Sequence, residues 1–145
     1  MSQPKPQTYA NHPRIDPAFH YFLLPVLLIT WIATLVHLAR HPHLGSAWLV
    51  VLAFALILVA LKSRMYALTA QDRVIGLEER MRLSTLLPEP LRARIGELTE
   101  RQLIGLRFAS DAEIPALVAR ALSEKLTQKQ IKQAIQNWRP DHFRV

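Results

Sequence analysis

The stretch LVVLAFALILVALKSRMYALTAQDRVIGLEERMRL, Leu49–Leu83, passes from wholly apolar to densely charged with no proline and a single glycine, Gly76. Its first third reads as a membrane segment and its last third as a solvated helix face. No breaker separates the two, so the decisive point is whether one helix carries both. Lys62 and Arg64 can keep their stems in lipid and raise their charged heads to the headgroups. Beyond them Ala67, Ala70, Val74, Leu77 and Met81 recur at helical spacing, with Leu68 and Ile75 beside that stripe. Arg73, Glu78, Glu79, Arg80 and Arg82 lie mostly elsewhere, and Glu78 stands four residues before Arg82, the favourable order for a surface pair. Gly76 weakens such a helix by about 1 kcal/mol at most. The sequence LLPEP, Leu86–Pro90, ends it. One helix of roughly forty residues, on the order of 60 Å long, is expected.

Working outward, Leu44–Leu61 is an uncharged run, and Phe19–Ala39 is a second one with a histidine near each end. Each approaches the roughly 20 residues that cross a bilayer core. Buried helices of a soluble protein would show polar residues every few positions, and these runs show almost none. The first is too long for a cleaved signal peptide and follows a polar leader. The pair reads as a hairpin: His41, Pro42 and Gly45 supply the turn, and Ser46 is the expected N-cap of the second helix. Pro25 falls in the first turns of span one, and Trp31 is expected to pack on span two or on a second copy.

Charge orients the hairpin. Lys5 and Arg14 precede it, only Arg40 borders the loop, and Lys62, Arg64, Arg73, Arg80 and Arg82 follow. The positive-inside rule places both termini in the cytoplasm. The apolar stripe after the membrane needs a partner, either the C-terminal segment or the same helix of another copy. Its two to three heptads are short for a coiled coil, so packing within the chain is expected.

After LLPEP, three matches to the capping box (Thr99–Gln102, Ser110–Glu113 and Thr127–Gln130) mark helix starts. They predict short helices at about 91–96, 100–109, 111–123 and 128–138, with Pro115 forcing the third to start late or bend. The expected apolar faces are Leu103, Ile104, Leu106 and Phe108, then Ile114, Leu117, Val118, Ala121 and Leu122, then Ile131, Ile135 and Trp138. Phe143 and Val145 give the tail something to dock with. A core this small is marginal alone, so docking on the long helix matters.

The fold class that follows is an all-α membrane protein in four parts: a polar lead-in (1–18), the transmembrane hairpin (19–61, spans 19–39 and 44–61), an amphipathic stalk helix (62–87) and a small helical C-terminal unit (88–145).

Chemistry is sparse. The chain has no cysteine, which removes disulfides and thiolate sites. No Ser–His–Asp order, glycine-rich phosphate loop or HExxH pattern occurs. His37, His41 and His43 form the one histidine cluster, and the i,i+4 pair could meet a metal. No carboxylate lies nearby, and interfacial histidines at a helix end are the expected reading. His20 and His37 raise haem ligation, which would need two copies because span two has no histidine. Asn11, His12, Arg14, Asp16 and His20 precede the membrane, and an Asp–His pair there could act in acid–base chemistry. An extended lead-in held by Pro13 and Pro17, binding headgroups or the stalk, is the simpler expectation. Gln128, Lys129, Lys132, Gln136 and Arg139 could meet phosphates or bases. From Lys62 onward, however, fifteen basic side chains face ten acidic ones, a mild excess that suits the anionic inner leaflet as well. Nucleic acid is therefore disfavoured, and no catalytic, cofactor-binding or metal residue is assigned.

Four stretches resemble a known family: YANHPRIDPAFHYFLLP (Tyr9–Pro25), LKSRMYALTAQDRVIGLEERMRL (Leu61–Leu83), LTERQLIGLRFASDAEIPALV (Leu98–Val118) and KQIKQAIQNWRPDHFRV (Lys129–Val145). They are similar to two-span bacterial membrane proteins grouped as a domain of unknown function, above all in the YANHPRIDPAFHYF start and the NWRPDHFRV end. The resemblance implies a bacterial plasma-membrane address and brings no assigned activity or site residue. The expected role is a non-enzymatic, membrane-anchored interaction or scaffold protein whose partners are the bilayer and either another protein or a second copy. The alternatives are a haem- or metal-binding subunit of a membrane redox complex and a membrane-tethered nucleic-acid-binding module.

Overall fold

The computed structural model describes residue 9 and residues 15–140, and these are all-helical in regular structure: α1 (Leu24–Arg40), α2 (Leu44–Leu86), α3 (Glu89–Arg92), α4 (Glu100–Leu106), α5 (Ile114–Ser123) and α6 (Gln128–Ala134). The expectations for Asn11, His12, Pro13, Arg14, Phe143 and Val145 fall outside the described residues. Two compact units emerge among the described residues, 15–68 and 69–140 with residue 9.

In the first unit, a π-helical turn, Ala18–Leu23, leads directly into α1, giving an apolar helix of 23 residues from Ala18 to Arg40. Pro25 explains the wide turn. It offers no N–H to the preceding turn, and just before it the Leu24 N–H reaches back five residues to the Phe19 carbonyl. Asp16 starts the helix, its Oδ1 accepting from the N–H groups of Ala18 (3.1 Å) and Phe19 (3.3 Å). Of the lead-in, the described end is helical from Pro17.

The loop between α1 and α2 corrects the expected cap. His43, not Ser46, precedes the helix, and the two exchange bonds: the His43 N–H donates to Ser46 Oγ (3.1 Å) and the Ser46 N–H to His43 Nδ1 (3.2 Å). This is a capping-box arrangement with histidine as the cap. Ser46 is fully buried and Ala53 nearly so, both small enough for α1 to approach. Trp31 meets Phe54 there, ring centroids 5.7 Å apart. α2 runs unbroken for 43 residues.

In the second unit, Leu83 from the end of α2 and Leu87 just after it are buried with Leu103, Leu106, Phe108, Ile114, Val118 and Ile131 in one apolar cluster. Two of the three expected capping boxes form, at Thr99–Gln102 and Thr127–Gln130. The third does not. Glu113 instead accepts from the N–H groups of Gln136 (3.3 Å) and Asn137 (2.7 Å) and from Asn137 Nδ2 (2.7 Å), so α5 begins only at Ile114 with Pro115 in its first turn. The same contacts shorten α6. It stops at Ala134, and after a bend at Gln136 and Asn137 the chain bridges to Ala109 at Trp138, with Ser110 N–H donating to Asn137 O (3.1 Å) and Arg139 N–H to Phe108 O (2.7 Å). The 100–109 and 91–96 helices are shorter too: α4 ends at Leu106, and a separate 3-10 turn, Ile95–Glu97, follows α3.

Candidate functional site

The histidine cluster forms at the α1–α2 turn. The rings of His37 and His41 lie 5.0 Å apart, and those of His37 and His43 lie 6.4 Å apart. Nδ1 of His43 is already committed to the Ser46 N–H. Among the described residues, no three His, Cys, Asp or Glu side chains converge as a metal site. His20 sits in the π-helical turn, its Nδ1 2.9 Å from the Asp16 carbonyl. Seventeen helical residues, roughly 25 Å, separate it from His37, so one copy cannot offer both to a haem.

Asp16 and His20 do not form an acid–base pair. The His20 ring meets the Asp16 backbone, while the Asp16 carboxylate is occupied by the helix start and by Arg64 Nη1 at 3.6 Å. Arg64 also stacks toward Phe19, 5.8 Å from its ring centroid. It thus ties the lead-in to α2 instead of only rising to the headgroups. Tyr9 lines a recess with Gln128, Lys129 and Lys132 of α6.

A polar hub that the apolar-stripe reading passed over lies on the other side of α2. Glu79 is 5 % exposed, its Oε2 3.1 Å from Arg82 Nη1 and its Oε1 3.9 Å from Arg139 Nη1. The pair made by Arg82 is therefore with Glu79, one turn back at three residues, rather than with Glu78. Arg82 also donates from Nη2 to the Ala109 carbonyl (2.7 Å) and from Nε to Asp111 Oδ1 (3.0 Å). One guanidinium thus fastens α2 to the turn before α5. Burial pushes the Glu79 carboxyl above its ordinary range while Arg82, Arg139 and Arg107 pull it back. The bonds from Arg82 hold Asp111 below its own. The sequence signal was Glu79 and Arg82 standing on the same face as Ile75 and Leu83.

Of the side chains weighed for nucleic acid, Gln128, Lys129 and Lys132 share the recess with Tyr9, while Gln136 and Arg139 stand apart from it. Lys132 Nζ lies 5.1 Å from the Phe108 ring centroid, Arg139 turns to Glu79, and Gln136 lies in the bend held by Glu113. Gln128 and Lys129 line an open cleft of about 660 Å³ with Thr99, Lys125 and Thr127. Gln102 closes its polar wall by donating to the carbonyls of Ala121 (3.3 Å) and Leu126 (3.0 Å).

The stripe on α2 is the largest departure from expectation. Packing within the chain uses Ile75, Glu79, Leu83 and Leu87, not the stripe. Val74, Leu77 and Met81 are 56 %, 60 % and 64 % exposed, and Ala67 and Ala70 are exposed as well. The charged face carried the better partners: Arg82 needed Asp111 and the Ala109 carbonyl, and turning toward them took Leu83 into the core and left Leu77 and Met81 outside. An uncovered apolar row of this kind marks an interaction surface more often than chance exposure.

No curated protein and no solved structure matches the chain. A family model does, over residues 1–145: the chain belongs to DUF6526, a family of unknown function.

Proposed function

We propose that this is a membrane-anchored, non-enzymatic interaction protein that crosses a bacterial plasma membrane twice and presents a small helical unit in the cytoplasm. One observation carries the reading. No residue of α1 is buried, and the apolar half of α2 leaves Leu52, Phe54, Leu56, Leu58 and Val59 close to half exposed. Water would meet all of that surface at about 25 cal/mol per Å², whereas lipid accepts it, and helices satisfy their own backbone polar groups in lipid. Both helices are long enough to span. Exposed Trp48 near the loop and Tyr66 near the other end suit the two interfaces, and the basic residues after Leu61 favour cytoplasmic termini.

The interaction role is supported by the uncovered row on α2, which is rimmed by charge rather than by further apolar surface. Carbonate-washed membranes from cells expressing the full chain test the anchor. The protein should remain in the pellet and move to the supernatant only with detergent. Release by carbonate alone would overturn the reading. Tags on the two ends should both resist protease added outside intact cells, and digestion of either one would reverse the proposed orientation.

A further inference from the structure

We propose that α2 pairs in parallel with α2 of a second copy through Ala70, Val74, Leu77 and Met81. The inference rests on the membrane reading, because two copies inserted the same way necessarily run α2 in the same direction. The four side chains alternate by four and three residues, the spacing of a coiled-coil seam. Val74 and Met81 occupy one seam position, and Ala70 and Leu77 the other. A β-branched residue at the first with leucine at the second favours two strands.

Charge identifies the occupant. In a parallel pair, the residue just before the first seam position faces, across the interface, the residue five further along the partner. For this row those are Arg73 and Glu78. Each copy therefore supplies both halves of two symmetric ion pairs, Arg73 to Glu78 of the second copy and the reverse. Neither side chain has an ion-pair partner among the described residues. An antiparallel pair would set Arg73 against arginine. The buried face of the same helix, with Ile75, Glu79 and Leu83, lies about 170° round from this row, so the seam opens without disturbing the core of its own unit. The row is short for a coiled coil in solution, and confinement of both helices to one membrane raises their effective concentration.

The natural absence of cysteine makes the test clean. Ala70→Cys, Leu77→Cys and, as a control on the opposite face, Asp72→Cys are each introduced singly into the full chain and oxidised in native membranes. Disulfide-linked dimer is expected to form several-fold more at positions 70 and 77 than at 72. Equal crosslinking at all three, no crosslinking at 70 and 77, or adducts only of another mass would overturn the proposal. In the Leu77→Cys background, Arg73→Glu or Glu78→Arg alone should lower the dimer about three-fold or more, the scale two surface ion pairs carry. The double exchange should restore it. Loss in both single variants without restoration in the double would contradict the parallel register. The same samples report the fraction in the membrane pellet: protein found in the supernatant removes the membrane reading and with it the imposed alignment, whereas pelleted protein without specific crosslinks removes the pairing alone.

Discussion

Glu79 and Asp111 share Arg82 yet are driven in opposite directions, which gives the C-terminal unit two separate pH responses. Burial raises the Glu79 carboxyl from its ordinary 4.5, so the folded state holds that proton more tightly than the unfolded chain. Its contribution is complete below 4.5 and is lost as pH rises through the raised value. Asp111 is lowered from 3.8, so its contribution is present above 3.8 and disappears as pH falls through the lowered value. Thermal unfolding of the detergent-solubilised chain, followed through Trp138 with Trp31 and Trp48 replaced by phenylalanine, separates them. Glu79→Gln should flatten the dependence above 4.5 and Asp111→Asn the dependence below 3.8. Unchanged slopes would remove the hub from any role in stability. Lys125 shows a different strain. It has φ of 50°, and the Leu126 N–H returns to the Ala121 carbonyl at 3.2 Å, the closing bond of a Schellman turn. Glycine adopts that conformation freely, so Lys125→Gly should stabilise the unit by about 0.5–1 kcal/mol, read as a higher melting temperature. A decrease would mean that the lysine stem contributes more by packing than it loses in the backbone.

At the scale of elements, the legible features were those set by neighbours along the chain. Thr99 and Thr127 announce their helices because a hydroxyl and a glutamine three residues on can satisfy each other's backbone donors locally. Thr99→Ala and Thr127→Ala should each destabilise by about 1 kcal/mol. Ser110–Glu113 carries the same local signal and fails, since Glu113 finds three donors in residues 136 and 137. No local pattern reveals a competitor 24 residues away. The long α2 was legible from the lack of any breaker before LLPEP, but the choice of its buried face was not. An apolar stripe predicts burial only when nothing stronger competes, and here Arg82 turned the helix toward Asp111. Gly105 was silent in the sequence for a related reason. A Cβ there would stand 3.2 Å from Ile131 Cγ2 and 3.3 Å from the Gln128 carbonyl, a closeness known only once α4 and α6 are packed. Gly105→Ala is expected to destabilise by about 1–3 kcal/mol, because neither a backbone oxygen nor a β-branched side chain can swing aside. A neutral result would show that α6 shifts to accommodate it.

For the whole molecule, hydropathy and charge spacing were enough to expect the hairpin and the helix that continues from it. They were not enough to expect a function, because no set of side chains commits to a reaction. The histidines illustrate this. The spacing of His37 and His41 could suit a metal but did not call for one, and the turn spends the neighbouring His43 on capping α2. What the fold leaves unsatisfied is apolar surface, and its solvent decides everything else. The cysteine-free chain permits a direct test: Phe54→Cys and Ser84→Cys, both at exposed positions, are treated in intact membranes with a water-soluble maleimide. With lipid around α1 and α2, position 84 should react readily once the reagent reaches the cytoplasmic side in inverted vesicles, and position 54 only after the membrane is dissolved. Equal labelling of the two before detergent would mean that water, not lipid, surrounds the helices.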